Sequence, residues 1–336
     1  MTDPNFSAAP YAAEIQFALQ AVRRAARLVR QVQAELVTPA LTKGDRSPVT
    51  VADFASQALV GCLLSQSFPE DGLVAEEDSE ALRQPDEAAT LEQVARFVKS
   101  ELPQATPEAV CAWIDHARVD SARRFWTLDP IDGTKGFLRG DQYAVALALV
   151  VAGQVQVGVL GCPNLVGGSQ PDLYGPGSLV VAVRGQGTWT TPLTGAAGFE
   201  RLLVSGQIDP AQARLLRSFE SGHTNVSQID VFAQALGIQA APVRMDSQAK
   251  YAVLAAGEGD LLLRLLSPEK PDYREKIWDQ AAGSLVLEEA GGCISDLDGK
   301  ALDFSTGRAL VNNRGILASN YRLHDLALQA LKNIGA

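Results

Sequence analysis

The stretch WTLDPIDGTKGF, Trp126 to Phe137, sets two aspartates three residues apart around a proline and follows them at once with Gly-Thr-Lys-Gly. Pro130 has a fixed φ and no N–H to donate. The chain is therefore expected to turn there, presenting Asp129 and Asp132 together and leaving the Ile131 carbonyl free. Gly133 lets the backbone approach a ligand closely, and the N–H groups of Gly133 and Thr134 at a helix start favour a phosphate oxygen. A hard divalent cation such as magnesium takes a few carboxylates, waters and the substrate phosphate itself as ligands. The acids of this turn read as holding cations, and the cations and amides as holding an anion.

Three more acids share this character: Asp53 after SPVTVA, Glu76 in LVAEEDSE and Asp279 in IWDQAAG. Each follows or interrupts an apolar segment, where a carboxylate is costly unless paired or bound to metal. Taken singly, Asp53 or Asp279 reads first as a helix cap. Taken with the others, they point to a metal-dependent phosphatase, and composition and spacing go no further.

The rest of the chain sets the frame. Its 336 residues suit two lobes rather than one typical core, and 46% hydrophobic against 20% charged residues is a globular balance. The start, MTDPNFSAAPYAAE, has no basic segment followed by an apolar one, and no run of about eighteen apolar residues occurs, so neither export nor anchoring is expected. The four cysteines, Cys62, Cys111, Cys162 and Cys293, are widely spaced and read as small buried hydrophobes, which suits a reducing, cytoplasmic setting. A net charge of -10 and the lack of a basic, aromatic-rich stripe argue against a nucleic-acid partner.

Apolar positions recurring at three and four residues predict a surface helix over Glu14 to Leu36, and a second helix is expected to begin near Asp53. Ala81 to Asp120 reads as a polar, helical excursion inserted between two motifs, with starts at Thr90 and Thr106. YAVALALVV and QVQVGVL, joined by Ala152-Gly153, and SLVVAVRGQGTW read as mostly antiparallel strands, with the GQG at Gly185 a strand turn rather than a dinucleotide loop. Beyond about residue 195 short strands and helices alternate, and the helix in WDQAAGSLVLEEAGG is expected to end at Gly291-Gly292 in a left-handed cap. The expected division is 1–195, an α+β lobe with most of the acids, and 196–336, an α/β lobe with Asp279.

At these residues the sequence resembles the inositol monophosphatase superfamily: AEE at Ala75 to Glu77, WTLDPIDGTKGF and WDQAAGSLVLEEAGG stand in that family's order. Within it, SPVTVAD, RRFWTLDPIDGTKGFLRGDQYAVALALV, GVLGCPN, DSQAKY and EKIWDQAAG resemble the 3'(2'),5'-bisphosphate nucleotidases, from about Glu14 to Gly307. The resemblance implies a layered α/β/α/β/α sandwich of the inositol monophosphatase and fructose-1,6-bisphosphatase type. It also implies hydrolysis of the 3'-phosphate of 3'-phosphoadenosine 5'-phosphate to AMP, with 3'-phosphoadenosine 5'-phosphosulfate as a further candidate substrate.

By matched position, Glu76, Asp129 and the Ile131 carbonyl resemble ligands of one magnesium ion, and Asp129, Asp132 and Asp279 those of a second, with two or three ions per site. Asp53 with Thr134 resembles the pair that activates the attacking water; Thr134 would relay a proton and not act as a covalent nucleophile. Gly133, Thr134, His223, Ser247, Lys250 and Arg264 resemble substrate contacts, although from the residues alone a lone histidine or a flanking Lys or Arg more often has no such role. Ala75 and Gln280 depart from the family's usual Gly and His beside ligands, and the loop between Arg264 and Asp279 is longer than usual, which bears on substrate preference. The alternatives are an inositol polyphosphate 1-phosphatase or inositol monophosphatase activity and, outside enzymes, a metal- or nucleotide-binding sensor. The resemblance further implies lithium sensitivity; nucleotidase relatives tend to be monomers and simpler members dimers, so oligomeric state stays open with a monomer as the expectation, and the lack of a long apolar run leaves no membrane partner expected.

Overall fold

The computed structural model describes residues 4–37, 48–116, 118–195, 197–219, 226–267 and 269–336. Helix α1 (Ala12–Leu36) buries Ile15, Ala18, Val22, Ala25, Val29 and Val32 along one stripe, the face its periodicity predicts. Helix α2 (Pro48–Ser67) is apolar almost all round and is buried from Val51 to Leu64, between α1 and the sheet below. It begins five residues before Asp53, so Asp53 lies in its second turn and not at its start: the helical run is carried by Val51, Ala52 and Phe54, which pack inward on both sides of the acid.

Strand β1 (Gly72–Ala75) is followed by the excursion, helices α3 (Ala88–Glu101) and α4 (Pro107–Ile114). Thr106 caps α4 by accepting the Ala109 N–H at 3.2 Å, with Pro107 first in the helix. Thr90 does not start α3; it is the third residue of the helix and is buried, because the preceding turn Pro85–Glu87 runs straight into it.

Next come β2 (Arg124–Asp132), the short α5 (Thr134–Arg139), β3 (Ala144–Val151) and β4 (Gln154–Cys162). Ala152 and Gly153, at φ 51° and 76°, make the left-handed two-residue hairpin turn between β3 and β4. A small pair follows, β5 (Leu165–Val166) and β6 (Gln170–Pro171), then β7 (Ser178–Val183), β8 (Gly187–Pro192) and β9 (Glu200–Leu202). The GQG segment is the turn between β7 and β8. Among the described residues the first sheet runs β1-β2-β3-β4-β7-β8-β9, antiparallel except for β1 beside β2.

The remaining elements are β10 (Leu215–Arg217), α6 (Val226–Leu236), β11 (Val243–Arg244), α7 (Ala249–Ala255), β12 (Leu261–Arg264), α8 (Ala281–Glu289), β13 (Cys293–Ser295), β14 (Ile316–Ser319) and α9 (His324–Ile334). They build a second sheet in the order β11-β10-β12-β14-β13. Helix α8 starts two residues after Asp279 and ends, as predicted, with Gly291 at φ 91°.

Strand β3 explains the stacking. Val145, Leu147 and Leu149 pack with α1 and α2 on one face, whereas Ala144, Ala146 and Ala148 on the other let α7 and α8 approach closely. The far side of α7 and α8 meets Leu216, Leu262, Ile316 and Ala318 of the second sheet, whose other face is covered by α6 and α9. The order is helix, sheet, helix, sheet, helix, the sandwich expected from the sequence.

Candidate active site

The site is built around an irregularity at the end of β2. Asp129 pairs with Ala146 and Asp132 with Ala144, a bulge centred on Pro130 and Ile131. The Ser56 hydroxyl of α2 holds the Pro130 carbonyl at 3.1 Å. Gly133 then adopts φ 89° as the N-terminal cap of α5, where a side chain would meet Ser247 Cβ at 2.7 Å, so only glycine fits. Thr134 is the exposed first residue of that helix.

From the opposite side, the turn before α7 closes on this corner. Ser247 is left-handed at φ 67°, and the Gln248 backbone N–H donates to Asp132 Oδ2 at 2.7 Å. The Gln248 side chain also donates to the Trp278 carbonyl at 2.9 Å and accepts the Gly283 N–H at 3.0 Å, so one residue joins the bulge, the Asp279 loop and α8. A pocket of about 320 Å³ results, lined by Glu76, Asp129, Ile131, Asp132, Gly133, Thr134, Ser247, Lys250, Arg264 and Asp279 together with Lys135, Asp246, Tyr273, Lys276 and Trp278. Asp53 lies behind this wall and does not line it. His223 lies outside the described residues.

The acids disturb one another. Burial pushes Asp129 well above the usual carboxylate range, reinforced by Asp132, Glu76, Asp279 and Asp53. Burial raises Asp53 strongly too, with Glu77 and Glu76 adding to it. Asp132 is raised by burial against the pull of Arg264 and Lys250. Glu76, just beyond the end of β1, is pushed up to about 7 by desolvation and by Glu77 and Asp132, with Arg308 opposing. Burial takes Asp279 to about 8, with Arg264 opposing and Asp132, Glu275 and Glu76 assisting.

Such a set suits a cation. Oδ1 of Asp53 and Oδ1 of Asp129 are both buried without a hydrogen-bond partner among the described residues, an arrangement that a bound ion would relieve. Among the described residues no three acids, thiols or imidazoles converge into a closed metal shell. An ion here would share carboxylates and draw its remaining oxygens from water or phosphate, as magnesium does. The residues fit a divalent cation on those terms. No hydrogen bond joins the Thr134 hydroxyl to Asp53 among the described residues.

The cationic wall is equally constrained. Arg264, at the end of β12, approaches Glu275 at 2.8 Å and Asp279 at 3.9 Å. Burial opposes its charge, but Glu275, Asp279 and Asp132 together hold it above the ordinary arginine value. Lys250 is buried in α7, donates to the Ser218 hydroxyl at 2.6 Å, and is brought down to about 8 by desolvation and Arg264, against Asp132, Asp246 and Glu275. Gln280, fully buried, accepts from the Tyr251 hydroxyl at 2.5 Å and donates to Glu275 at 2.9 Å, so it steadies the partner of Arg264.

Residues that the sequence reading passed over also matter here. Gln248 acts through its backbone N–H and its side-chain amide and stands within the quoted DSQAKY without an assigned role. Lys276 and Trp278 stand within the quoted EKIWDQAAG yet had no assigned role. Arg308 follows the last residue of the resemblance, Gly307; its guanidinium donates to the Ala75 carbonyl at 2.8 Å and lies over the Trp278 ring at 4.6 Å.

The acid ring, the helix-start glycine turn and the layered fold define a class. The inositol monophosphatase family profile matches residues 11–336, and the chain belongs to that family and is a phosphatase. Within the family it is 43% identical to a 3'(2'),5'-bisphosphate nucleotidase of Oryza sativa over 343 residues, covering 96% of this chain and 95% of that protein. It is 41% identical to the enzyme of that name from Schizosaccharomyces pombe, covering 95% and 94% of the two chains. Among solved structures, an inositol monophosphatase from Zymomonas mobilis superposes with a TM-score of 0.64 at 22% identity, covering 96% of this chain and 99% of that one. Mycobacterium tuberculosis SuhB does so with 0.62 at 22%, covering 96% and 97%. These two likenesses concern the fold. No helix among the described residues is long and apolar enough to cross a membrane.

Proposed function

We propose that the chain removes the 3'-phosphate of 3'-phosphoadenosine 5'-phosphate to give AMP and phosphate, in a magnesium-dependent reaction, with 3'-phosphoadenosine 5'-phosphosulfate as a second substrate. The observation that carries the reading is one pocket in which Glu76, Asp129, Asp132 and Asp279 face a wall of Lys250, Arg264 and Lys276. Full-length similarity to the nucleotidases of rice and fission yeast supports the nucleotide as the substrate.

Glu76, Asp129, the Ile131 carbonyl, Asp132 and Asp279 would hold two or three magnesium ions. Bound there, the metal would supply an activated water and charge neutralisation at the leaving oxygen. Asp53, kept basic by burial and by its acidic neighbours, is suited to receive a proton at Oδ1 from water by way of the Thr134 hydroxyl. The Gly133 and Thr134 amides at the start of α5 orient the phosphate undergoing attack. Lys250 and Arg264 hold the second phosphate by charge, with Ser247 beside them; His223 contacts the base or ribose in this reading. The reading also takes 1–195 and 196–336 as the two lobes, a monomer as the working unit and the cytoplasm as its setting.

The test is phosphate release from 3'-phosphoadenosine 5'-phosphate and from inositol 1,4-bisphosphate in parallel, with magnesium and with EDTA. A magnesium-dependent preference for the nucleotide is expected, abolished in Asp129→Asn. Preference for the inositol phosphate would overturn the substrate, and normal turnover by Asp129→Asn would overturn the site.

A further inference from the structure

Glu76 and Asp279 come from opposite lobes, 203 residues apart by their numbering, and as carboxylates they repel each other. Something must set their spacing. The segment after Gly307 is seated against the Asp279 loop by two backbone hydrogen bonds, Ile277 N–H to the Arg308 carbonyl at 3.2 Å and Leu310 N–H to the Glu275 carbonyl at 2.9 Å. It is held in shape by the Thr306 hydroxyl, which donates to the Ala309 carbonyl at 2.8 Å. The Cα of Arg308 is therefore fixed beside the residues that lead into Asp279.

Its side chain leaves that anchorage and crosses to the other lobe. The guanidinium lies over the Trp278 ring, with Cζ 4.6 Å from the centroid. Nη2 donates to the Ala75 carbonyl at 2.8 Å and reaches the Glu76 carbonyl at 3.5 Å. Nη1 is buried with no hydrogen-bond partner among the described residues. A single planar group thus rests on the neighbour of Asp279 and grips the backbone that carries Glu76. A lysine ammonium could donate to the same carbonyls but could not supply the flat stack on Trp278.

We propose that Arg308 is a positioning residue that spans the cleft and sets the separation and direction of Glu76 relative to Asp279, and so the affinity of the site for its cation. The inference rests on the reading of those two acids as metal ligands. It does not require Arg308 to touch substrate.

The experiment is a magnesium chloride titration of the full chain, stripped with EDTA and dialysed, read by the rise in melting temperature without substrate. Arg308→Ala and Arg308→Lys are compared with the parent chain and with Glu76→Gln. Half-saturation is expected to move to magnesium concentrations on the order of 10-fold higher in Arg308→Ala, the range seen when groups supporting metal ligands are lost, and by less in Arg308→Lys. A purely structural arginine would lower the metal-free melting temperature and leave the half-saturating magnesium unchanged. Should Arg308→Ala fail to fold, Arg308→Lys carries the test. If Glu76→Gln weakens the response but the folded Arg308 variants titrate like the parent, the inference is overturned and the site reading stands. If the parent itself does not respond to magnesium, the site reading falls and the inference falls with it.

Discussion

Replacing Asp279 with asparagine should make the metal-free protein more stable while disabling it. Burial, with Asp132, Glu275 and Glu76 nearby, takes this carboxyl from 3.8 to about 8 against the pull of Arg264. In the unfolded chain it ionises near 3.8. Below that pH both states hold the proton and the folded state bears no penalty. Between about pH 4 and 8 the folded state keeps a proton that the unfolded state has lost, so stability falls as pH rises, by about 1.4 kcal/mol per pH unit, and levels off above pH 8. The whole shift sets a ceiling of about 5 kcal/mol at pH 8. Arg264 loses a neighbour at 3.9 Å on substitution and the remaining acids share the released field, so a gain of about 2 kcal/mol is expected for Asp279→Asn. Urea unfolding in EDTA at pH 5 and pH 8 measures it. The variant should exceed the parent chain at pH 8, the difference should shrink at pH 5, and saturating magnesium should reverse the order. A variant that is less stable than the parent in EDTA at pH 8, or whose advantage does not vary with pH, would refute the reasoning.

Lys250, brought down to about 8, should be charged for phosphate binding at neutral pH and lose that charge above about pH 8. Lys250→Met should raise the KM for 3'-phosphoadenosine 5'-phosphate about tenfold or more with a smaller change in kcat, and should lack the fall in kcat/KM above about pH 8 that is expected of the parent chain. Gly61→Ala would put a methyl 2.1 Å from the Trp113 carbonyl where α2 meets α4, and should cost about 3 kcal/mol in urea unfolding. Thr106→Ala removes the cap of α4 and should cost about 1 kcal/mol by the same assay, without a change in turnover.

What could be read in the chain beforehand was whatever leaves a local trace. The stripe of α1, the Ala152-Gly153 turn, the Thr106 cap and the glycine end of α8 each depend on neighbours a few residues away, and each appears as expected. Asp53 was misplaced within its helix because an acid in an apolar run resembles a cap; burial between α1 and the sheet overrode that preference. Thr90 failed for the same kind of reason. Arg308 left no pattern at all and Gln248 none beyond its place in DSQAKY, since their contacts to Asp132, Trp278 and Ala75 are made across large sequence distances and mostly to backbone atoms. Backbone recognition places little demand on the identity of the residue being held, so nothing near Ala75 points to Arg308.

The bulge at Pro130 also settles a matter of parity. In an uninterrupted strand, residues three apart point to opposite faces, so Asp129 and Asp132 would be divided between the two sides of the first sheet. Their partners, Ala146 and Ala144, are two apart and share the face turned toward α7 and α8. The one surplus residue in β2 converts an odd interval into an even one and brings both carboxylates to that face. Straightening the strand without removing a residue would keep every acid in the sequence and still send Asp132 to the side of α1 and α2, which makes the bulge as much a determinant of the site as the aspartates themselves.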